Sequence, residues 1–230
     1  MTKYNIAMKS VIGMRSEQQD CAFHKNDGEV AIAAVCDGMG GMQSGRLASE
    51  AAITRFKDLY AQKPIDESFP DFYLKIVDIL DEFVFQMKDD NGEKLGAGTT
   101  FLSAAIKDNE LFWLSVGDSR LYILRGEEFV QVTRDHNYFL ELNRMLKENE
   151  ISEEHFKIES AKGDALISFI GMGGIKIMDL NNLPMKLLPN DIVLLSTDGL
   201  YKALGDNEIK NCLRTQNIEN ALERLLNNNF

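Results

Sequence analysis

Residues 29–41 read EVAIAAVCDGMGG, an apolar run that ends in an aspartate set among three glycines. The run EVAIAAVC (29–36) follows the turn-forming stretch KNDGE and is short and apolar, so it predicts a buried β-strand. Asp37 would then stand at the end of this strand. The glycines around it leave space beside the carboxylate, and Gly40 and Gly41 are expected to adopt backbone angles closed to other residues.

The composition limits the class of protein. A chain of 230 residues with 44% hydrophobic residues predicts one globular domain spanning 1–230. The formal net charge of −11 disfavours nucleic acid and anionic membrane as partners. Three cysteines without a CxxC pair favour a reducing cytoplasm, and neither a signal peptide nor a membrane span is predicted.

The chain alternates groups of strands with pairs of helices. Strand patterns occur at 4–14, 29–36, 99–106, 110–117, 120–126 and 191–197, and the third, fourth and fifth are close enough in sequence for hairpins. Helical periodicity occurs at 44–63 and 70–88, and further helices are predicted near 137–148, 206–215 and 217–227. This order predicts an α+β fold of antiparallel sheets with helices packed outside.

Three apolar strands lead into an aspartate, at Asp37, Asp118 and Asp198, and Asp20 precedes a further strand. Taken singly, each aspartate is more simply explained as a turn residue. Together they can converge on one point, where carboxylates repel one another unless they bind protons or cations. Aspartates without nearby His or Cys favour Mg²⁺ or Mn²⁺, and Gly38 could add a backbone carbonyl.

In this order, RSEQQD (15–20), DGMGG (37–41), GTT (98–100), VGDSRLYILR (116–125) and STDGL (196–200) resemble the metal-dependent type-2C serine/threonine protein phosphatases of bacterial type. The resemblance covers nearly the whole chain. It implies a four-layer α-β-β-α sandwich, in which two antiparallel sheets are flanked by helices. It also implies hydrolysis of phosphoserine and phosphothreonine in proteins, with two Mn²⁺ or Mg²⁺ ions and in bacterial members a third.

The resemblance also implies a role for each matching residue. Asp37 bridges two metals, the Gly38 carbonyl binds one of them, and Asp198 binds the other. Asp20 supports the second metal through water, and Asp118 binds the third, weaker metal together with Asp198. Arg15 matches the arginine that binds the substrate phosphate, for which its guanidinium is well shaped.

The implied mechanism is attack on phosphorus by a water that the metals activate, without a phosphoenzyme. Cys36 is therefore predicted to be a core residue, and His24, His136 and His155 match no catalytic motif. The polar stretch inside 135–175 occupies the position of the family's flap, although its charge pattern fits a solvated helical hairpin equally well. The expected partner is a phosphoprotein made by a serine/threonine kinase.

One departure from the family concerns the C-terminal part. Family members close with an Asp-Asn-x-Thr strand that adds a metal ligand, whereas this sequence ends in LLNNNF. Asp206 in GDNE is interpreted as a helix N-cap rather than that ligand. We therefore expect weak binding of the first metal by this sequence. The alternative to an active enzyme is a pseudophosphatase that binds phosphoproteins as a regulatory module.

Overall fold

The structure is a computed structural model that describes residues 4–13, 16–215 and 217–227. The strands are β1 Asp20–Asn26, β2 Val30–Met39, β3 Gly98–Thr99, β4 Phe101–Lys107, β5 Glu110–Val116, β6 Arg120–Arg125, β7 Glu128–Gln131, β8 Asp179–Leu180, β9 Met185–Lys186 and β10 Ile192–Ser196. The helices are α1 Met42–Ala61, α2 Phe69–Phe85, α3 Tyr138–Lys147, α4 Glu153–Glu159, α5 Asp198–Tyr201, α6 Asp206–Leu213 and α7 Ile218–Asn227.

The strands form two antiparallel sheets. The first sheet has the order β1-β2-β4-β5-β8, with β3 paired to β2 and β9 paired to β5. The second sheet has the order β10-β6-β7. The pair β4 and β5 forms the expected hairpin, but β5 and β6 do not pair, because the chain crosses from the first sheet to the second between them.

Three hydrophobic clusters separate four layers. One cluster joins α1 and α2 to the first sheet and contains Phe56 and Phe72. A second lies between the sheets and contains Leu102 and Leu121. The third packs α6 and α7 against the second sheet and contains Leu225. The expected α-β-β-α sandwich of the α+β class is therefore confirmed.

The alternation of buried side chains along β4 shows why the sheet lies between two cores. Phe101 and Ala105 contact the helical side, whereas Leu102 and Ala104 contact the second sheet. Successive residues of a strand point to opposite faces, so a strand covered on both faces is a nearly continuous apolar run. This explains why the sequence FLSAAI predicts a strand.

Several sequence predictions were wrong in detail. Residues 4–13 form no strand, and the first strand begins at Asp20. The N-cap of α6 is Gly205, whose amide donates to Glu208 Oε2 at 2.9 Å, so Asp206 lies in the first turn instead. The short strands β7, β8 and β9 were not predicted, because each has too few residues for periodicity to be visible.

The five predicted helices are all present, within a few residues of the expected ends. The helix α2 begins after Ser68, whose hydroxyl accepts from the Asp71 amide at 3.2 Å, and Pro70 lies in its first turn. In the described part of the chain, no helix is both long enough and apolar enough to cross a bilayer.

Candidate metal centre

Asp20 and Asp37 lie opposite each other on neighbouring strands of the first sheet. Their Cα atoms are register partners in the antiparallel pair of β1 and β2. The strand β2 continues to Met39, so Asp37 lies inside the strand. The prediction that Asp37 stands at the end of its strand was therefore wrong. Facing residues in such a pair have Cβ atoms about 5 Å apart, which places the two carboxylates side by side.

Asp118 and Asp198 reach the same region from the connections of other strands. Asp118 follows β5 by two residues, in the crossing from the first sheet to the second. Asp198 follows β10 of the second sheet and opens the short helix α5. The hydroxyl of Thr197 donates to Asp20 Oδ2 at 2.8 Å and ties this connection to the first sheet. The ends of both sheets thus meet at one site.

The electrostatic effects of the four carboxyl groups on one another show how close they are. Burial, followed by the charges of Asp20 and Asp198, raises the pKa of Asp37 to about 9. A side-chain interaction with Asp198 raises the pKa of Asp37 further. Burial and the Asp198 charge raise the pKa of Asp118 as well. Carboxyl groups that hold protons for this reason can bind cations instead.

The donor set suits a hard divalent cation, since all four side chains offer carboxylate oxygens. Among the described residues, no three His, Cys, Asp or Glu side chains are already arranged as a metal-binding cluster. Asp198 instead receives a 2.8 Å hydrogen bond from the Lys202 ammonium group. The Lys202 ammonium group thereby reduces the repulsion between Asp198 and the other carboxylates.

The GTT motif holds the backbone of Asp37, a role the sequence did not reveal. The Thr99 hydroxyl and the Thr100 amide both donate to the Asp37 carbonyl at 2.9 Å. The Asp37 amide donates to Thr100 Oγ1 at 2.8 Å, and that oxygen lies 2.7 Å from Ser119 Oγ. Thr100 therefore links the strand that carries Asp37 to the segment that carries Asp118.

The glycines of the DGMGG motif serve different purposes. A Cβ on Gly38 would lie 2.0 Å from the Gly45 carbonyl oxygen, so Gly38 allows β2 to contact the start of α1. Gly40 has a φ of 135°, as expected for a position that favours glycine. Gly41 has a φ of −58°, and the prediction of a special backbone angle there was wrong.

The remaining predicted residues are placed as follows. Arg15 lies outside the described residues, so its role stays a prediction. Cys36 is fully buried in the core, as expected. His136 is also fully buried, and it contacts the segment that carries Asp118. The sequence had matched His136 to no motif, and its position in RDHN carried no signal of this contact.

Tyr201 was not predicted to take part. Its hydroxyl donates to the Asp118 carbonyl at 3.0 Å, and its ring packs under the Arg120 guanidinium at 3.6 Å. Burial and the nearby Asp118 raise the pKa of Tyr201 well above the ordinary value, so the phenol stays protonated and can donate. Because Tyr201 belongs to α5, it joins the helix of Asp198 to the backbone of Asp118.

Curated relatives of this chain are protein phosphatases. Protein phosphatase PhpP of Streptococcus pneumoniae serotype 2 is 29% identical over 199 residues, which cover 85% of this chain and 78% of the relative. Serine/threonine phosphatase stp of Listeria monocytogenes serotype 4b is 26% identical over 204 residues, covering 87% of this chain and 78% of the relative.

Solved structures agree with the fold. The serine/threonine phosphatase of S. agalactiae has a TM-score of 0.80 and 25% identity, covering 94% of this chain and 88% of that one. The catalytic domain of the phosphatase PstP, solved with two manganese ions, has a TM-score of 0.70 and 22% identity, covering 94% and 86%. The family model for protein phosphatase 2C matches residues 10–228. The chain therefore belongs to the protein phosphatase 2C family and is a protein serine/threonine phosphatase.

Proposed function

We propose that the chain is a single catalytic domain that hydrolyses phosphoserine and phosphothreonine in proteins with two bound Mn²⁺ or Mg²⁺ ions, and in some states a third. The observation that carries this proposal is the meeting of Asp20, Asp37, Asp118 and Asp198 at the shared end of the two sheets. The related PstP catalytic domain was solved with two manganese ions, which agrees with two principal metal ions here. None of the comparisons favours the pseudophosphatase alternative.

Each carboxylate has a proposed place in the centre. Asp37 would bind both principal metals, with the Gly38 carbonyl on one and Asp198 on the other. Asp20 would act through a water, and its hydrogen bond from Thr197 restricts the carboxylate. Asp118 would bind the third metal with Asp198. A divalent metal bound here would lower the pKa of a bound water and thereby supply the hydroxide that attacks phosphorus.

Other residues around the proposed centre orient its ligands or bind the substrate. Thr99 and Thr100 hydrogen-bond the Asp37 backbone, which holds the Asp37 carboxylate in a fixed position for catalysis. Arg15 is proposed to bind the substrate phosphate through its guanidinium group, whose planar set of donors matches phosphate oxygens. The position after Gly38 is Met39, so the motif supplies no histidine there to protonate the leaving alkoxide.

Residues 135–175 are proposed to be a flap that shapes access of the substrate. Its two ends are joined by the bridge between Asn137 and Leu166 and by the 2.9 Å hydrogen bond from the Tyr138 amide to the Ala165 carbonyl. The helices α3 and α4 lie beyond this neck, and of their residues only Leu142 is buried. A polar lobe on a narrow neck beside the carboxylates fits such a role.

The proposed substrate is a phosphoprotein made by a serine/threonine kinase, and the proposed location is the cytoplasm. The location is supported by Cys21, Cys36 and Cys212, none of which forms a disulfide. Disulfides form in oxidising compartments, and Cys36 and Cys212 are buried in separate cores where neither can reach the other.

The experiment that tests the function measures phosphate release from an aryl phosphate and from a phosphothreonine peptide. Wild-type protein should require Mn²⁺ or Mg²⁺, and Asp37→Asn should lower kcat by at least about 10³-fold because one ligand serves both metals. Asp66→Asn is the matched control, since Asp66 is exposed and distant from the site in sequence and layer. Wild-type activity that survives EDTA, or an active Asp37→Asn variant, would contradict the proposal.

A further inference from the structure

His136 is a fully buried polar side chain that the proposed chemistry does not use. It makes two hydrogen bonds with one residue. The Gly117 amide donates to His136 Nδ1 at 3.1 Å, and the His136 amide donates to the Gly117 carbonyl at 3.0 Å. Both polar backbone groups of Gly117 are thus bonded to His136. Gly117 immediately precedes Asp118, so His136 fixes the residue that carries this carboxylate into the site.

Gly117 is also restricted on its other side. Its φ is 106°, and a Cβ at this position would lie 2.6 Å from Thr100 Cγ2. Thr100 in turn bonds the Asp37 backbone and the Ser119 hydroxyl. Gly117 is therefore held between His136 and Thr100, and the backbone of Asp118 cannot shift unless one of them moves.

The residue before His136 restrains Asp118 through a second route. Asp135 binds Arg120 with two hydrogen bonds, of 2.9 Å at Nε and 2.6 Å at Nη2. The Arg120 guanidinium lies over the ring of Tyr201, whose hydroxyl donates to the Asp118 carbonyl. His136 thereby contacts the peptide group before the Asp118 Cα, and Asp135 supports the contact to the peptide group after it through Arg120 and Tyr201.

The His136 side chain lies between Gly117 and Asp179 of β8, whereas its backbone belongs to the flap neck. Since Nδ1 accepts a hydrogen bond, the ring N–H is on Nε2, which lies 3.5 Å from Asp179 Oδ1. Asp179 also accepts from the Arg134 amide at 2.7 Å. The His136 carbonyl accepts from the Ile167 amide, on the returning segment of the neck, at 3.0 Å. His136 therefore belongs to the neck and contacts the metal-site segment.

We propose that His136 is a positioning residue for Asp118, which couples the neck of the flap to the carboxylate of the third metal. It acts through Gly117 and touches neither substrate nor metal. Loss of the Nδ1 acceptor would leave a buried Gly117 amide without a partner, and the Asp118 carboxylate would lose its fixed direction. The inference rests on the proposed function, because it assumes that Asp118 binds metal.

The test compares His136→Leu with His136→Asn. Asparagine can place its side-chain oxygen near the position of Nδ1 and can still accept from Gly117, whereas leucine cannot. We expect His136→Leu to raise the Mn²⁺ concentration for half-maximal phosphatase rate by about tenfold or more, the size usual for residues that orient metal ligands. His136→Asn should recover most of this loss. Calorimetric titration with Mn²⁺ gives a second readout that needs no turnover.

Tyr73→Phe is the matched control for loss of one buried hydrogen bond. The Tyr73 hydroxyl lies 3.0 Å from Ser103 Oγ, fully buried in the core between α2 and the first sheet. This variant should lower the melting temperature and leave the Mn²⁺ response unchanged. A purely structural role for His136 would make both its variants behave like Tyr73→Phe, and that result would overturn the inference.

Two further outcomes are decisive. If His136→Leu does not fold, His136→Gln takes its place, because its side-chain amide reaches the position of Nε2 rather than Nδ1 and leaves the Gly117 amide without its acceptor. A wild-type Mn²⁺ response in this folded variant would refute the coupling to Asp118. A wild-type protein that binds Mn²⁺ but releases no phosphate would refute the proposed function, while the calorimetric comparison would still test His136.

Discussion

Replacement of Gly38 by alanine should damage both the fold and the metal centre. The added Cβ would lie 2.0 Å from the Gly45 oxygen, 2.4 Å from the Gly45 carbon and 2.9 Å from the Gln19 oxygen. All three are backbone atoms, so no side chain can rotate to make room. Because Cβ atoms essentially never lie closer than 3.0 Å to such atoms, β2 and the start of α1 must separate by at least the difference, 3.0 − 2.0 = 1.0 Å.

The size of the effect follows from that displacement. Overpacking of a closed interface costs about 1–3 kcal/mol, and a contact with backbone belongs at the upper end. For a domain of this size each kcal/mol lowers Tm by about 2–4 °C, so a fall of about 6–12 °C is expected. The same shift moves Asp37, the neighbour of Gly38, by a comparable distance. A misplacement of about 1 Å can lower kcat/KM by about 100-fold.

Gly41→Ala is the control within the same motif. A Cβ there would meet no atom within 4 Å, and the φ of −58° suits alanine. Alanine is a poorer N-cap than glycine, which lowers stability, but it also reduces the entropy of the unfolded chain, which raises stability. The net change in the free energy of unfolding should therefore stay within about 1 kcal/mol. Thermal unfolding by circular dichroism and Mn²⁺-dependent phosphate release measure both variants. Equal Tm and kcat/KM in the two would refute this explanation of Gly38.

Two further predictions concern stability. Asp81 accepts hydrogen bonds from all four amides of residues 171–174, at 2.7, 3.0, 3.4 and 2.6 Å, so Asp81→Leu should cost at least about 3 kcal/mol in urea unfolding. Asp81→Asn, which keeps one accepting oxygen, should cost about half as much, and equal values for the two would contradict this. Burial disfavours the charged form of Asp191, but hydrogen bonds from Arg125 outweigh this effect and lower the pKa of Asp191. The ion pair therefore stabilises the fold fully above about pH 4, the ordinary pKa of an aspartate in the unfolded chain. This stabilisation is lost as pH falls through the lowered pKa of the folded state. Asp191→Asn should therefore lose about 1 kcal/mol at pH 7, with a difference that shrinks in acid; a constant difference from pH 7 to pH 2 would exclude this ion pair as the cause.

Local patterns were sufficient to predict the strands and helices that build the layers. The apolar runs that became β4, β5 and β10 are bounded by turn residues, and each is long enough for its pattern to stand out. The same runs indicated the aspartates that follow two of them, Asp118 and Asp198. The resemblance to a family then supplied the sandwich and the proposed ligands, which no single motif could have done.

The interactions that hold the site together could not be predicted in this way. Asp81 is separated from the 171–174 loop by about 90 positions in the chain, and nothing in its helix marks it as the acceptor for that loop. His136 and Gly117 lie in different loops, and their hydrogen bonds depend on how the flap neck returns to the sheet. A sequence pattern reports which face of an element is apolar, whereas these contacts depend on where the backbone amides of distant loops point.

The position of the carboxylates gives a physical reason for the cation proposed at this end of the sandwich. Asp37 belongs to the first sheet, and Asp198 follows a strand of the second, so repulsion between them acts to separate the layers. Burial and the neighbouring carboxylates raise the pKa of Asp37, and the Lys202 ammonium group balances the charge of Asp198. A divalent cation at the proposed centre would bind oxygens from both sheets at once. The charges that repel one another across the two sheets are thus the proposed ligands that would join them.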